Sequence, residues 1–126
     1  MVTTVEGELL PQPDVEDIRL EKVLGALGDP VRLHLFRVMS TDEQCDCDSV
    51  RLGVGHLHKS TVSHHMRVLR EAGVTSTRAV GRNRRVTVRR ADLDARFPGL
   101  VDALLTASGE AGEVTGAGVA GGDGAV

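Results

Sequence analysis

Hydroxyls, imidazoles and cations crowd one run of this chain, Lys59-Ser-Thr-Val-Ser-His-His-Met-Arg-Val-Leu-Arg-Glu-Ala-Gly73. Ser60, Thr61, Ser63 and His64 carry the donors and acceptors that match base edges, and Lys59, Arg67 and Arg70 carry charges that suit phosphates. His65 stands one residue before Met66, so two roles stay open for it: packing at the edge of a core, or bonding a phosphate. Val62, Met66 and Leu69 recur at i, i+4 and i+7, which predicts a helix with an apolar stripe opposite these polar groups. Gly73 supplies its C-terminal stop. A helix of this kind suits the major groove of duplex DNA.

A second candidate group is Cys45-Asp-Cys-Asp48, which holds both cysteines of the chain. The first residues are acidic and lack a basic segment followed by an apolar run, and no stretch approaches the ~20 apolar residues of a membrane span. A cytoplasmic protein with no membrane partner is therefore expected. In that compartment Cys45 and Cys47 read as free thiols or metal ligands rather than as a structural disulfide.

Charge is distributed unevenly. The chain as a whole carries −3, yet residues 51–90 hold ten Lys or Arg against the single acid Glu71, a local charge of +9 between flanks of −7 and −5. A polyanion responds to the field within a Debye length, ~8–10 Å in physiological salt, so the basic block can bind DNA despite the negative total. Phe36 and Phe97 are the only aromatic residues. That disfavours modules which stack single-stranded bases on aromatic platforms, and favours duplex DNA. Catalysis is not expected: there is no glycine-rich phosphate loop, no HExxH motif, and no nucleophile and base in evident partnership.

The elements that must position these groups follow from periodicity and punctuation. A flexible arm over residues 1–13, with Pro11 and Pro13, precedes a first amphipathic helix over 15–27 that carries Leu20, Val23, Leu24 and Leu27. Asp29-Pro30 restarts the chain as an N-cap followed by proline at the first helical position, and Leu35, Phe36 and Met39 face the core from the second helix. A short third helix is expected over 46–52, and a loop over 53–58 leads into the helix described above. Residues 74–80 and 84–90 are β-prone runs joined by Gly81-Arg82-Asn83, a hairpin with a basic tip. Arg82, Arg84 and Arg85 of this hairpin are assigned to phosphates, with the tip also able to enter the minor groove. Alternation sets Val86 and Val88 on one face and predicts that Arg85 and Arg89 share the other. A last helix over 91–107 is interrupted early by Pro98. From Gly109 onward seven of eighteen residues are glycine, which predicts a disordered tail over 109–126. The fold class is mainly α with a small β-hairpin, in the order α-α-α-α-β-β-α of a winged helix-turn-helix, as one domain over 14–108.

Two segments carry a family resemblance. Leu27-Gly-Asp-Pro-Val-Arg-Leu-His-Leu-Phe-Arg37 resembles the opening of the second helix in ArsR-type (ArsR/SmtB) repressors, and Ser60-Thr-Val-Ser-His-His-Met-Arg-Val-Leu-Arg-Glu-Ala-Gly73 resembles their recognition helix. The resemblance covers about residues 15–107. It implies a homodimeric repressor, paired through its first and last helices, that binds an inverted-repeat operator and is released by an effector. In the family a Cys-x-Cys at the start of the third helix binds a metal or metalloid ion, and Cys45 and Cys47 match that position. In a regular helix residues two apart point about 200° from one another, so both thiolates reach one ion only if this turn is unwound. A third thiolate is absent, and a tetrahedral site would draw two ligands from His56, His58, Asp46, Asp48 or a second subunit. The family's other metal site, acids and histidines on the last helix, is not carried over, because that helix has Asp92, Asp94 and Asp102 but no histidine. The alternative is a winged-helix regulator with no metal effector, governed by a non-metal ligand, redox chemistry or a protein.

Overall fold

Asp29 begins the central helix as its sequence predicts. Its carboxylate accepts from the backbone N–H groups of Val31 at 2.9 Å and Arg32 at 3.1 Å, with Pro30 at the first helical position. The structure is a computed structural model, and it describes residues 7–41, 45–46 and 53–111. In chain order the elements are β1 (Glu8–Leu9), α1 (Leu20–Leu27), α2 (Pro30–Ser40), β2 (Cys45–Asp46), α3 (Lys59–Glu71), β3 (Thr75–Val80), β4 (Asn83–Val88), α4 (Arg90–Arg96) and α5 (Leu100–Ala111).

Leu35, Phe36 and Met39 of α2 are all but completely buried and form the centre of the core. Around them close Val23, Ala26 and Leu27 of α1, Val62, Met66 and Leu69 of α3, Val86 of β4, Leu93 of α4 and Val101 of α5. The fold is thus mainly helical with a small antiparallel sheet, a winged helix.

Several details differ from the sequence reading, each for a physical reason. The first helix is shorter than expected: residues 15–17 form a 3-10 turn, Ile18 is driven into the core, and α1 starts at Leu20. Its four-residue apolar pattern also divides. Val23 and Leu27 are buried, whereas Leu20 and Leu24 stay about two-fifths exposed on the outer side. Arg19, just ahead of α1, bonds Glu21 at 2.6 Å, and this bond holds the Glu21 carboxyl below the usual carboxylate range.

The expected third helix over 46–52 lies outside the described residues except for Asp46, whose backbone is extended in β2. β2 adds to the edge of β4 with Cys45 opposite Val86, and β1 adds to the other edge of the hairpin, giving the strand order β1-β3-β4-β2. The wing is therefore four strands wide rather than two. Its turn is shorter than predicted, because Asn83 pairs with Val80 and leaves only Gly81 and Arg82 between strands, with Gly81 in the left-handed region. Pro98 and Gly99 break the last helical stretch completely, so that α4 and α5 are separate helices. α5 runs through Gly109 to Ala111, three residues into the predicted tail, and residues 112–126 lie outside the described residues.

Candidate nucleic-acid interface

The apolar stripe of α3 is seated as its spacing requires: Leu69 is wholly buried, and Val62 and Met66 nearly so. This fixes which side of the helix faces outward. Lys59, Ser60, Thr61, Ser63, His64 and Arg67 are all exposed, in the first two and a half turns. The helix ends in a Schellman motif. The Gly73 N–H bonds the Arg70 carbonyl at 3.1 Å and the Val74 N–H bonds the Leu69 carbonyl at 3.0 Å, with Leu69 and Val74 both buried. Gly73 sits at φ +89°, and a Cβ there would lie 2.7 Å from Cγ1 of Ile18. Only glycine fits that turn.

Within α3 the sequence-assigned residues separate into two sets. His64 and Arg67 form an exposed pair, with a guanidinium nitrogen 3.2 Å from Nδ1 of the imidazole. Together with the exposed hydroxyls of Ser60, Thr61 and Ser63, this gives a surface of donors, acceptors and one delocalised cation along the outer side of the helix. His65 and Arg70 are turned toward the protein instead. Half-buried His65 meets the Arg32 guanidinium of α2 at 3.0 Å, and Arg70 donates from Nε to the carbonyl of Pro11 at 3.0 Å.

The wing presents Arg82, Arg84 and Arg85, all exposed. Pairing in register sets Arg84 opposite Ala79 and Arg85 opposite Arg78, so the two arginines project to opposite faces of the hairpin, with Arg82 at its tip. Arg84 shares its side with Val86 and Val88 but, unlike buried Val86, is itself exposed.

The predicted pairing of Arg89 with Arg85 on one face does not hold. β4 stops at Val88, and Arg89 occupies the cap position of α4, where it is buried and bonds Asp92 at 3.0 Å and the Pro13 carbonyl at 2.8 Å. Arg90 is also taken up internally, by Asp94 and Asp102, which hold its guanidinium above its usual range. The +9 of the basic block thus overstates what faces a polyanion. Two of its charges are matched by acids of the following helices, and those acids are part of the −5 flank.

The sequence reading missed the role of residues 7–13, taken as part of a flexible arm. This segment is strapped along the outer edge of β3. β1 pairs Glu8 with Ala79 and Leu9 with Arg78, the Leu10 N–H bonds the Thr77 carbonyl at 2.9 Å, and Ser76 bonds the Gln12 side chain at 2.8 Å. The carbonyls of Pro11 and Pro13 take up Arg70 and Arg89. A signal was present: Pro-x-Pro holds the backbone extended, with its carbonyls uncommitted to any helix.

Cys45 lies in an extended edge strand, not at the start of a helix, and Cys47 lies outside the described residues. Among the described residues no group of three or more His, Cys, Asp or Glu side chains is placed to hold a metal ion. The described residues therefore do not by themselves make up a metal site. Nor is any described helix long and apolar enough to cross a membrane.

No protein-family model matches the chain. It is 34% identical over 76 residues, 57% of its length, to a transcriptional repressor SmtB homolog of Synechocystis sp. (strain ATCC 27184 / PCC 6803 / Kazusa). That match takes in only 56% of the Synechocystis protein, little more than half its length. It is 31% identical over 84 residues, 66% of its length, to the uncharacterized HTH-type transcriptional regulator YceK of Bacillus subtilis (strain 168), and here the match spans 83% of the relative. A helix-turn-helix regulator matched over most of its length, a repressor homolog matched over about half of its own and a winged-helix fold agree: the chain belongs to the ArsR/SmtB-type winged helix-turn-helix transcriptional regulators.

Proposed function

We propose that the protein is a sequence-specific repressor that binds double-stranded operator DNA as a homodimer in the cytoplasm, and that it has no catalytic role. The observation that carries this reading is the exposed face of α3, where Lys59, Ser60, Thr61, Ser63, His64 and Arg67 stand together over a fully anchored apolar stripe. Ser60, Thr61, Ser63 and His64 read base edges in the major groove, while Lys59 and Arg67 with Arg82, Arg84 and Arg85 of the wing hold the phosphate backbone. Exposed Leu20 and Leu24 lie one turn apart on α1 and support pairing of two subunits through the first and last helices. Two copies of α3 then address an inverted repeat. A gel shift with the DNA upstream of the protein's own gene tests the reading: binding to an inverted repeat there is expected, and failure to bind any such duplex in that region or its neighbourhood overturns it.

The likeness of Cys45 and Cys47 to the Cys-x-Cys of the family's metal-binding members supports a second layer, in which a thiophilic metal or metalloid is the effector. The reduced protein is then expected to change its operator affinity on titration with zinc, nickel, copper or arsenite. Unchanged affinity across all four leaves a regulator answering to another kind of signal.

A further inference from the structure

We infer that His65 is a positioning residue for sequence readout: it is held by Arg32, touches no DNA, and sets the rotation of α3 about its own axis. The inference rests on the proposal that α3 reads DNA, and adds to it the means by which the reading face is aimed.

Arg32 lies in the first turn of α2, half-buried, with its backbone N–H already committed to the Asp29 cap. Its guanidinium is a rigid fork. Nε donates to the carbonyl of Ala26 at 2.6 Å, and NH1 faces Nδ1 of His65 at 3.0 Å. Ala26 is the penultimate residue of α1, and the residue four further on is Pro30, which has no N–H to offer. The fork therefore satisfies a carbonyl that proline leaves without a helical partner, and uses that anchor to reach α3. One side chain ties three helices. A guanidinium has donors only, so Nδ1 of His65 must be the acceptor and the ring proton sits on Nε2. His65 is thereby turned into the protein beside buried Met66, while its neighbour His64 faces out, the two rings 5.7 Å apart between centroids.

Geometry makes this tie matter for readout. The buried apolar stripe of α3 is three side chains long and only one wide, and apolar contact is non-directional. It resists lifting of the helix more than rotation. At the roughly 5–6 Å radius of a helix with its side chains, a turn of about 20° moves a side-chain tip by about 2 Å. Hydrogen bonds to base edges tolerate only a few tenths of an ångström around 2.9 Å. Contacts to phosphates by long, flexible Lys and Arg side chains tolerate far more. Loosening the tie thus removes sequence preference before it removes affinity for DNA as such.

Selection of duplexes from a random library with the wild-type protein supplies a preferred inverted repeat, and a scrambled duplex of equal length serves as the reference. His65→Ala is expected to raise the Kd for the preferred duplex about tenfold, the scale of one charge-assisted hydrogen bond, with the Kd for the scrambled duplex and the salt slope unchanged. His65→Asn, which keeps an acceptor near the place of Nδ1, is expected to restore most of the preference, and Arg32→Lys, which cannot fork, to lose it. Equal weakening on both duplexes with a shallower salt slope would mean that His65 meets phosphate, and overturns the inference, as does an Asn variant no better than Ala. A readout that needs no variant is the long-range proton–nitrogen spectrum of the wild-type imidazoles, in which His65 is expected as the Nε2–H tautomer and an Nδ1–H tautomer overturns the tie. If the wild type prefers no duplex, DNA reading itself fails, while the tautomer still judges the contact with Arg32.

Discussion

His64 and Arg84 stand for two kinds of contact that a DNA-reading surface must combine. His64 is exposed in the second turn of α3 and Arg84 on the wing, and in the proposed reading the first addresses base edges and the second the phosphate backbone. His64→Ala is expected to relax sequence preference while leaving nonspecific binding in place. Arg84→Ala is expected to weaken binding to all sequences and to reduce the salt slope by roughly one unit, both measurable by fluorescence anisotropy across a salt series. If the two substitutions change only nonspecific affinity, the assignment of His64 to readout fails. Gly73 makes a different demand, on stability. A Cβ at φ +89° and 2.7 Å from the buried Ile18 side chain forces either the turn or the core to shift. Gly73→Ala is therefore expected to cost about 1–3 kcal/mol in urea denaturation, the range for a non-glycine residue in strained backbone.

At the scale of elements, the wing is a composite. Its hairpin is flanked by β1 on one edge and β2 on the other, and the strap over residues 7–13 joins it to α3 and α4 through Arg70 and Arg89. Arg89 is the stronger of these ties, since it is buried and satisfied at once by Asp92 and by the Pro13 carbonyl. Arg89→Ala is expected to destabilise the protein by about 2 kcal/mol, the scale of hydrogen bonds to a charged group. It is also expected to speed amide exchange at Leu10, whose N–H is bonded to Thr77 across the strap. Slow exchange at Leu10 in that variant would mean that strand pairing alone holds the segment.

For the whole molecule, the arrangement of charge and the uncovered apolar surface bear on assembly. Leu20 and Leu24 lie on the side of α1 away from the core, and α5 offers Leu100, Leu104 and Leu105 only partly covered. In the proposed dimer, paired through these helices, a carboxylate at the interface carries a desolvation cost, so Leu24→Glu is expected to yield a monomer in sedimentation velocity. That monomer should bind the inverted repeat far more weakly than the wild type, because the two half-sites no longer share one binding event. A dimer that survives Leu24→Glu at the wild-type dissociation constant would remove α1 from the interface.

The sequence by itself determined what local rules control. Asp29-Pro30 caps α2, Gly73 closes α3, and Val62, Met66 and Leu69 fix the buried side of α3 and so the exposure of Ser60, Thr61, Ser63 and His64. Each of these depends on residues within about two turns of one another. What the chain order could not give is the partner chosen by a long polar side chain among sites far away in sequence. The tertiary structure alone sends His65 to Arg32, Arg70 to Pro11 and Arg89 to Pro13 and Asp92, and it divides the apolar face of α1 into a buried side and an exposed one. An arginine reads the same in sequence whether it faces a phosphate or a carbonyl, because its donors are satisfied equally by either. Only the packing of helices and strands decides which acceptor comes within 3 Å.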